Sequence, residues 1–214
     1  VAVRKIKARM VQLSTDDVFD GSSKVPYTEF DTPNPQTVYG KSKLAGENFV
    51  REFCNRHIIV RSSWIFGDGN SYMQKILSMA KEGKEISAAR DQMASPTGAT
   101  ELAGKVIELM EHADDGLYHV TGQEKEIEFI KNMRFYSNGM IIFPVNYNTY
   151  AKEVIRLSGY DAEVRPVDAD EDKLTLMRPS YSVLDNFMFR ISDIELLPSW
   201  KDMLERYMAG RRER

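Results

Sequence analysis

Tyr39-Gly-Lys-Ser-Lys43 sets a phenol and an ammonium four residues apart, a spacing that on a helix brings both to one face. That pairing has a chemical use. A phenol that titrates near ~10 is a poor acid–base group at neutral pH, and a cation beside it favours phenolate and moves it toward the working range. Spacing alone leaves open the plainer alternative of a surface helix with solvated lysines. The order of features adds to the argument. Met10-Val-Gln-Leu-Ser14 reads as a buried strand delivering Ser14, Thr15 and Asp16 at its end, an Asp- and Pro-rich loop follows, and Tyr39 then opens a helix. A hydroxyl at a strand end and a Tyr–Lys pair at the next helix start would converge at the C-terminal edge of a parallel sheet, where α/β folds hold ligands. There Thr15 can bond a carbonyl while Tyr39 gives or takes its proton, the division of labour that hydride transfer to a carbonyl requires.

The elements that must position these groups follow from hydrophobic periodicity. The 3-and-4 spacing of Leu44, Ala45, Phe49, Val50 and Phe53 predicts a helix from Tyr39 to Asn55. His57 to Ser62 reads as a strand, Tyr72 to Glu82 as a helix stopped by Gly83, and Glu85 to Ala89 as a weak strand. Ala99 to His112 is a predicted helix and Gly116 to Thr121 a strand. Gln123 to Asn146 fits neither a 3.6 nor a 2 period and is taken as an insertion, within a provisional division into 1–122, 123–147 and 148–214. Beyond it come a helix from Asn148 to Leu157 with Gly159 as its stop, a strand from Ala162 to Val167, and a final helix from Ser199 to Met208 capped by Ser199. Strands alternating with helices argue for an α/β fold with a largely parallel sheet, helices on both faces and a small C-terminal lobe.

Composition narrows the function classes. With 29 Lys and Arg against 32 Asp and Glu, the 214-residue chain carries a net charge of -3 and no global positive field for a phosphate backbone. Nucleic-acid binding is therefore not expected. Arg211, Arg212 and Arg214 read as a solvated helix end. No stretch approaches the ~18 apolar residues of a membrane span. A single cysteine, Cys54, suits a reducing compartment, and a cytoplasmic protein is expected. Cys54-x-x-His57 lacks further ligands to complete a metal set, the acidic run Asp168, Asp170, Glu171 and Asp172 lacks EF-hand spacing, and His112 and His119 read as helix-end and strand residues.

Six ordered blocks carry a resemblance: Ser14-Thr-Asp-Asp-Val-Phe-Asp-Gly21, Tyr39-Gly-Lys-Ser-Lys-Leu-Ala-Gly-Glu47, Val60-Arg-Ser-Ser-Trp-Ile-Phe-Gly67, Asp91-Gln-Met-Ala-Ser-Pro-Thr97, Gly116-Leu-Tyr-His-Val-Thr121 and Arg178-Pro-Ser-Tyr-Ser-Val-Leu-Asp-Asn186. In this order they resemble the dTDP-4-dehydrorhamnose reductase family of extended short-chain dehydrogenases/reductases, over most of the chain outside the insertion. The resemblance implies a Rossmann-like sheet and reduction of the 4-keto group of a dTDP-6-deoxyhexulose by NADPH or NADH. It implies Tyr39 as proton donor and Lys43 as the group that lowers the Tyr39 pKa and holds the nicotinamide ribose. Thr15 and Asp16 would assist Tyr39 and contact the sugar, Trp64 would line the substrate pocket and Arg178 would lie in the substrate lobe. For Trp64 a merely packed aromatic, and for Arg178 a salt-bridged surface arginine, stay open as alternatives.

The sequence departs from the family in two places that bear on function. Asp17 stands where the family usually has Tyr, and a carboxylate facing inward there would repel an anionic nucleotide sugar. No G-x-x-G-x-x-G or G-x-G-x-x-G run is present to cradle a pyrophosphate. The Thr15 strand is then expected to be about the fourth of the fold, in a chain that is the latter part of a longer one. Uncovered strands would expose an apolar edge, so a homo-oligomer or a covering partner is expected. A non-catalytic relative on the same scaffold, similar to the regulatory β subunit of methionine adenosyltransferase, is the alternative reading.

Overall fold

The computed structural model describes residues 2–122, 144–170 and 178–212. Its elements in chain order are α1 (Ala2–Lys5), β1 (Met10–Thr15), α2 (Val38–Phe53), β2 (His57–Ser62), β3 (Ile65–Phe66), α3 (Tyr72–Lys81), β4 (Ile86–Ala89), β5 (Met93–Ala94), β6 (Thr97–Gly98) and α4 (Ala99–His112). They continue with β7 (Gly116–His119), β8 (Val145–Asn146), α5 (Tyr147–Ser158), β9 (Val164–Val167), α6 (Phe187–Ile191) and α7 (Trp200–Arg212). Each long element lies within a few residues of its expected span. Two stops work as the sequence indicated: Gly83 and Gly159 both take positive φ, +65° and +74°. Ser199 caps α7 by accepting from the Asp202 N–H at 3.0 Å. Most of the expected 123–147 insertion lies outside the described residues.

The central sheet runs β1-β2-β7, parallel throughout, with Leu13 beside Val60 and Val60 beside Tyr118. Alternation along β2 explains why it is covered on both sides. Ile58 and Val60 point to one face and pack with Leu102 and Leu109 of α4 and with Phe189 of α6. Arg61 points to the other and meets Glu47 of α2. The α/β reading with helices on both faces therefore holds in the sheet that bears Thr15.

Chain segments after residue 144 return among those before 122. β9 pairs in parallel with β4, β8 pairs antiparallel with β5, and single bridges join Tyr27 to Leu184 and Met93 to Tyr181. A core of Met73, Ile76, Ala151, Val154, Met203 and Leu204 ties α3, α5 and α7 together. At the other end of the molecule Arg9 donates to the carbonyls of Met110 and Ala113, closing the C-terminal turn of α4 with a cation. Arg211 does more than complement a helix end, because it donates to Gln74 Oε1 at 2.6 Å and ties α7 to α3. Among the described residues no helix is long and apolar enough to cross a membrane.

Candidate active site

The C-terminal ends of β1 and β2 open into a cavity of about 250 Å³. Thr15, Asp16, Tyr39, Trp64 and Arg178, five of the six residues singled out in the sequence, line it together. Lys43, the sixth, is one turn along α2, with its Nζ over the Tyr39 ring at 5.9 Å from the centroid. Tyr39 is held there by its helix start. Thr37 is the N-cap and its Oγ1 accepts from the Gly40 N–H at 2.9 Å. Gly40 lets this turn press against the end of β1: a Cβ there would lie 2.1 Å from the Asp17 carbonyl oxygen and 3.0 Å from Pro35 Cβ.

Asp16 and Asp17, adjacent in sequence, have opposite environments. Asp16 Oδ2 accepts from Ser63 Oγ at 2.7 Å and from Ser182 Oγ at 2.6 Å, while Oδ1 accepts from Thr15 Oγ1 at 3.1 Å. Although Asp16 lines the cavity, these bonds engage its carboxylate in joining β1, the end of β2 and the C-terminal segment. Asp17 is only 3% exposed, and its Oδ1 has no hydrogen-bond partner. Its N–H donates to Thr15 Oγ1 at 3.2 Å. Burial first, then the Asp16 charge, push its carboxyl up to about 6, against the pull of Arg178.

The electrostatics of Tyr39 have opposing sources. Burial raises the phenol above its ordinary value; a hydrogen bond with the Thr15 side chain and the Arg178 charge oppose the rise, and the charges of Asp17 and Asp16 add to it. Lys43 was expected to lower this phenol. In this structure Arg178 pulls it down, and Lys43 stands over the ring. Tyr39 therefore keeps its proton at neutral pH. Burial works against the charge of Arg178, but Tyr147, Asp16, Asp17 and Tyr39 together hold its pKa above the ordinary value. The alternative of a salt-bridged surface arginine does not describe it: Arg178 is half-buried and lines the cavity.

Trp64 settles between its two readings by being both packed and in the pocket wall. Its ring stacks on Tyr147 at 3.6 Å between centroids with 16° between planes, and Tyr72 leans on Tyr147 at 4.5 Å. Trp64 sits at φ +39°, a left-handed conformation disfavoured for a bulky side chain and found where surrounding structure enforces it. Sequence reasoning missed Tyr72, Tyr147 and Tyr150, all of which line the cavity. The available signal was their clustering at two helix starts, Tyr72 opening α3 and Tyr147 with Tyr150 on the first turns of α5.

The weaker constellations resolve into structure. His57 Nδ1 bonds the Cys54 carbonyl at 2.7 Å, and among the described residues no group of three or more metal-ligating side chains occurs. Asp168 pairs with Arg90 at 2.8 Å, while Glu171 and Asp172 lie outside the described residues. His119 is fully buried, its Nδ1 is 3.1 Å from the carbonyls of Tyr27 and Asp185, and burial followed by the Arg61 charge holds it down to about 3. It is a neutral core histidine.

A parallel sheet whose C-terminal edge brings a strand-end threonine to a Tyr-x-x-x-Lys helix start defines the Rossmann-like, extended short-chain dehydrogenase/reductase class. Within that class the match is specific: the RmlD substrate binding domain model matches residues 1–212, and the chain belongs to that family. It is 32% identical over 209 residues to the spore coat polysaccharide biosynthesis protein SpsK of Bacillus subtilis, covering 97% of this chain and 66% of that protein. It is 39% identical over 125 residues to dTDP-4-dehydrorhamnose reductase of Escherichia coli K12, covering 56% of this chain and 42% of that protein. A crystal structure of dTDP-4-dehydrorhamnose reductase from Bacillus anthracis in complex with NADP superposes with a TM-score of 0.85 at 32% identity, over 98% of this chain and 68% of that one. The chain thus spans two thirds or less of the curated relatives' length.

Proposed function

We propose that this chain carries the proton-donating and substrate-binding face of an NAD(P)H-dependent reductase that converts the 4-keto group of dTDP-4-dehydrorhamnose to a hydroxyl, in dTDP-L-rhamnose and cell-envelope polysaccharide synthesis. The observation that carries this reading is the convergence of Thr15, Tyr39, Trp64 and Arg178 on one cavity at the sheet's C-terminal edge. The protonated state of Tyr39 supports the reducing direction, since a ketone that accepts hydride needs a proton donor. NAD(P)H, when bound, supplies the hydride. Of the residues here, the half-exposed Tyr39 and Lys43 fit the nicotinamide ribose, with a phenol and an ammonium on one helix face. The glycine-rich pyrophosphate cradle is not in this sequence.

In this mechanism Thr15 Oγ1 donates to the sugar carbonyl, exchanging its bond to Asp16 for one to the ligand, and Tyr39 passes its phenolic proton to the oxygen as C4 becomes tetrahedral. Asp16 keeps the Thr15 strand end in place through Ser63 and Ser182 and meets the sugar from the cavity wall. Trp64 packs the sugar's apolar face, and Arg178 receives the diphosphate. We further assign residues 1–122 to the Rossmann-like part and 148–214 to the substrate lobe of a cytoplasmic enzyme, with elements interleaving: α3 and β4 pack with α5, α7 and β9, and α6 packs on β2. The open side of β1, where Leu13 is 47% exposed, is then covered by a second copy or a partner.

Turnover followed as NADPH consumption with dTDP-4-dehydrorhamnose tests the reading. Tyr39→Phe should lower kcat by about 10²–10⁴-fold with the circular dichroism unchanged. Equal turnover in variant and parent would refute the role of Tyr39, and a parent chain that neither binds nor reduces the sugar would refute the function.

A further inference from the structure

We propose that Asp17 takes up a proton when a nucleotide diphosphate sugar binds beside Arg178, so that this protein holds its ligand more tightly in mild acid than in base. The inference rests on the function proposed above for the choice of ligand, and on a buried carboxylate directly behind the cavity wall for the coupling.

Asp17 directly follows Thr15 and Asp16 of the cavity wall and is packed behind it. It sits in the single turn that follows β1, its N–H is bonded to Thr15 Oγ1, and its carbonyl oxygen is pressed against the first turn of α2 at Gly40. With one carboxylate oxygen buried and unpartnered, ionisation there is opposed by lost hydration and repaid by no hydrogen bond. The charged and titratable groups that face it come from each neighbouring segment: Asp16 beside it, Tyr39 from α2, and Arg178 from the C-terminal segment. One cation thus serves two carboxylates.

An incoming diphosphate changes this balance. It brings two negative charges and engages the one guanidinium that favours ionised Asp17. The other groups have little room to respond. Asp16 keeps the Ser63 and Ser182 hydroxyls on Oδ2 when Thr15 turns to the ligand, Tyr39 already holds its proton, and an arginine stays charged. Asp17, already pushed up to about 6, is the group left to take the proton. By linkage, a ligand that raises the Asp17 pKa binds more tightly to the protonated form, by the same factor. A rise of half to one unit corresponds to an affinity about 3–10-fold higher below pH 6 than above pH 7.5.

Isothermal titration calorimetry with dTDP-L-rhamnose tests the coupling, because its esterified diphosphate does not titrate in this range. Run at pH 6.5 in two buffers of different ionisation enthalpy, it should report uptake of about half a proton per ligand. The dissociation constant should rise about 3–10-fold from pH 5.5 to pH 8. In Asp17→Asn both the proton uptake and the slope should vanish, with affinity at pH 8 close to that of the parent at pH 5.5. Glu29, which burial pushes up to about 7 and which accepts from the His119 and Met188 N–H groups, remains in this variant and serves as the internal control. Binding without proton uptake would overturn the proposal and leave the function standing, as would a slope that persists in Asp17→Asn. The proton count in the parent decides the matter even if the variant folds poorly. Absence of binding at every pH would overturn both.

Discussion

Two clusters of charged side chains lie at the end of β1, and their carboxylates are treated in opposite ways. In one, Glu47 is fully buried and every lone-pair direction is used: Oε1 accepts from Ser14 Oγ at 2.5 Å and Arg61 Nε at 2.9 Å, and Oε2 from Arg61 Nη2 at 2.8 Å and Arg51 Nη2 at 2.9 Å. Burial disfavours the Glu47 charge, yet the bonds and charge of Arg61 hold its carboxyl below the ordinary value. In the other, Asp17 is as well buried, has an unpartnered oxygen and is shifted the other way. A buried carboxylate with all its acceptor sites used fixes α2 against β1 and β2, while Arg61 Nη1 makes no hydrogen bond and its guanidinium lies over the Phe19 ring. An unsatisfied carboxylate beside a cavity keeps a group able to change charge when a ligand arrives.

The largest expected effect breaks the first cluster. Arg61→Met leaves Glu47 buried without its main partner, and chemical denaturation should show a loss of about 3–5 kcal/mol. Adding Glu47→Leu to that variant should recover most of the loss, because replacing both members of a buried pair by apolar groups is close to neutral. If the double variant stays as unstable as the single one, the pair holds more than its own charges.

Asp17→Asn tests the second cluster and should have the opposite sign. The folded chain holds the Asp17 proton more tightly than the unfolded chain, so stability present below about pH 4 is lost as pH rises to about 6. The amide removes that loss. It should therefore be more stable than the parent by about 1–3 kcal/mol at pH 8 and equal to it near pH 3.5. A destabilised Asp17→Asn at pH 8 would place Asp17 with Glu47 as a structural acid.

Much of this contrast was hidden in the sequence. The positions of Thr15, Tyr39 and Trp64 were readable because each is fixed locally, by a strand end or a helix start. The long elements were readable because their apolar periods repeat. The saturation of Asp16 was not, since its partners Ser63 and Ser182 lie 47 and 166 residues away. The same holds for the pull of Arg178 on Tyr39, which belongs to a distant segment, whereas Lys43 four residues along was the visible cation. The two-residue strands β3, β5, β6 and β8 carry too few residues for any period, and tertiary pairing alone defines them.

Gly40 joins the two clusters, because the helix whose first turn packs against the Asp17 carbonyl at Gly40 carries Glu47 about two turns further along. Gly40→Ala would force that turn off the strand end, at a cost of about 1–3 kcal/mol for overpacking against backbone. Thermal melts should show the loss in full, and Glu47→Leu/Arg61→Met should not change it if the two sites on α2 act independently.

The smallest effect on stability falls on the cap of the helix turn that carries Tyr39. Thr37→Ala removes one capping bond, to the Gly40 N–H, and should lower stability by about 1 kcal/mol. That bond holds the turn carrying Tyr39, whereas the Glu47 network grips α2 more than a turn further on and would keep the rest of the helix in place. Fraying should therefore be confined to the first turn: hydrogen exchange at Gly40 and Lys41 should accelerate while exchange at Phe49 and Val50 stays at the parent rate. Turnover should fall further than stability does, because a phenol displaced by about 1 Å loses far more in reactivity than the fold loses in free energy. Uniform acceleration along α2 would mean that the helix opens as one unit, and the division between a fixed cluster and a responsive one would then fail at the element that separates them.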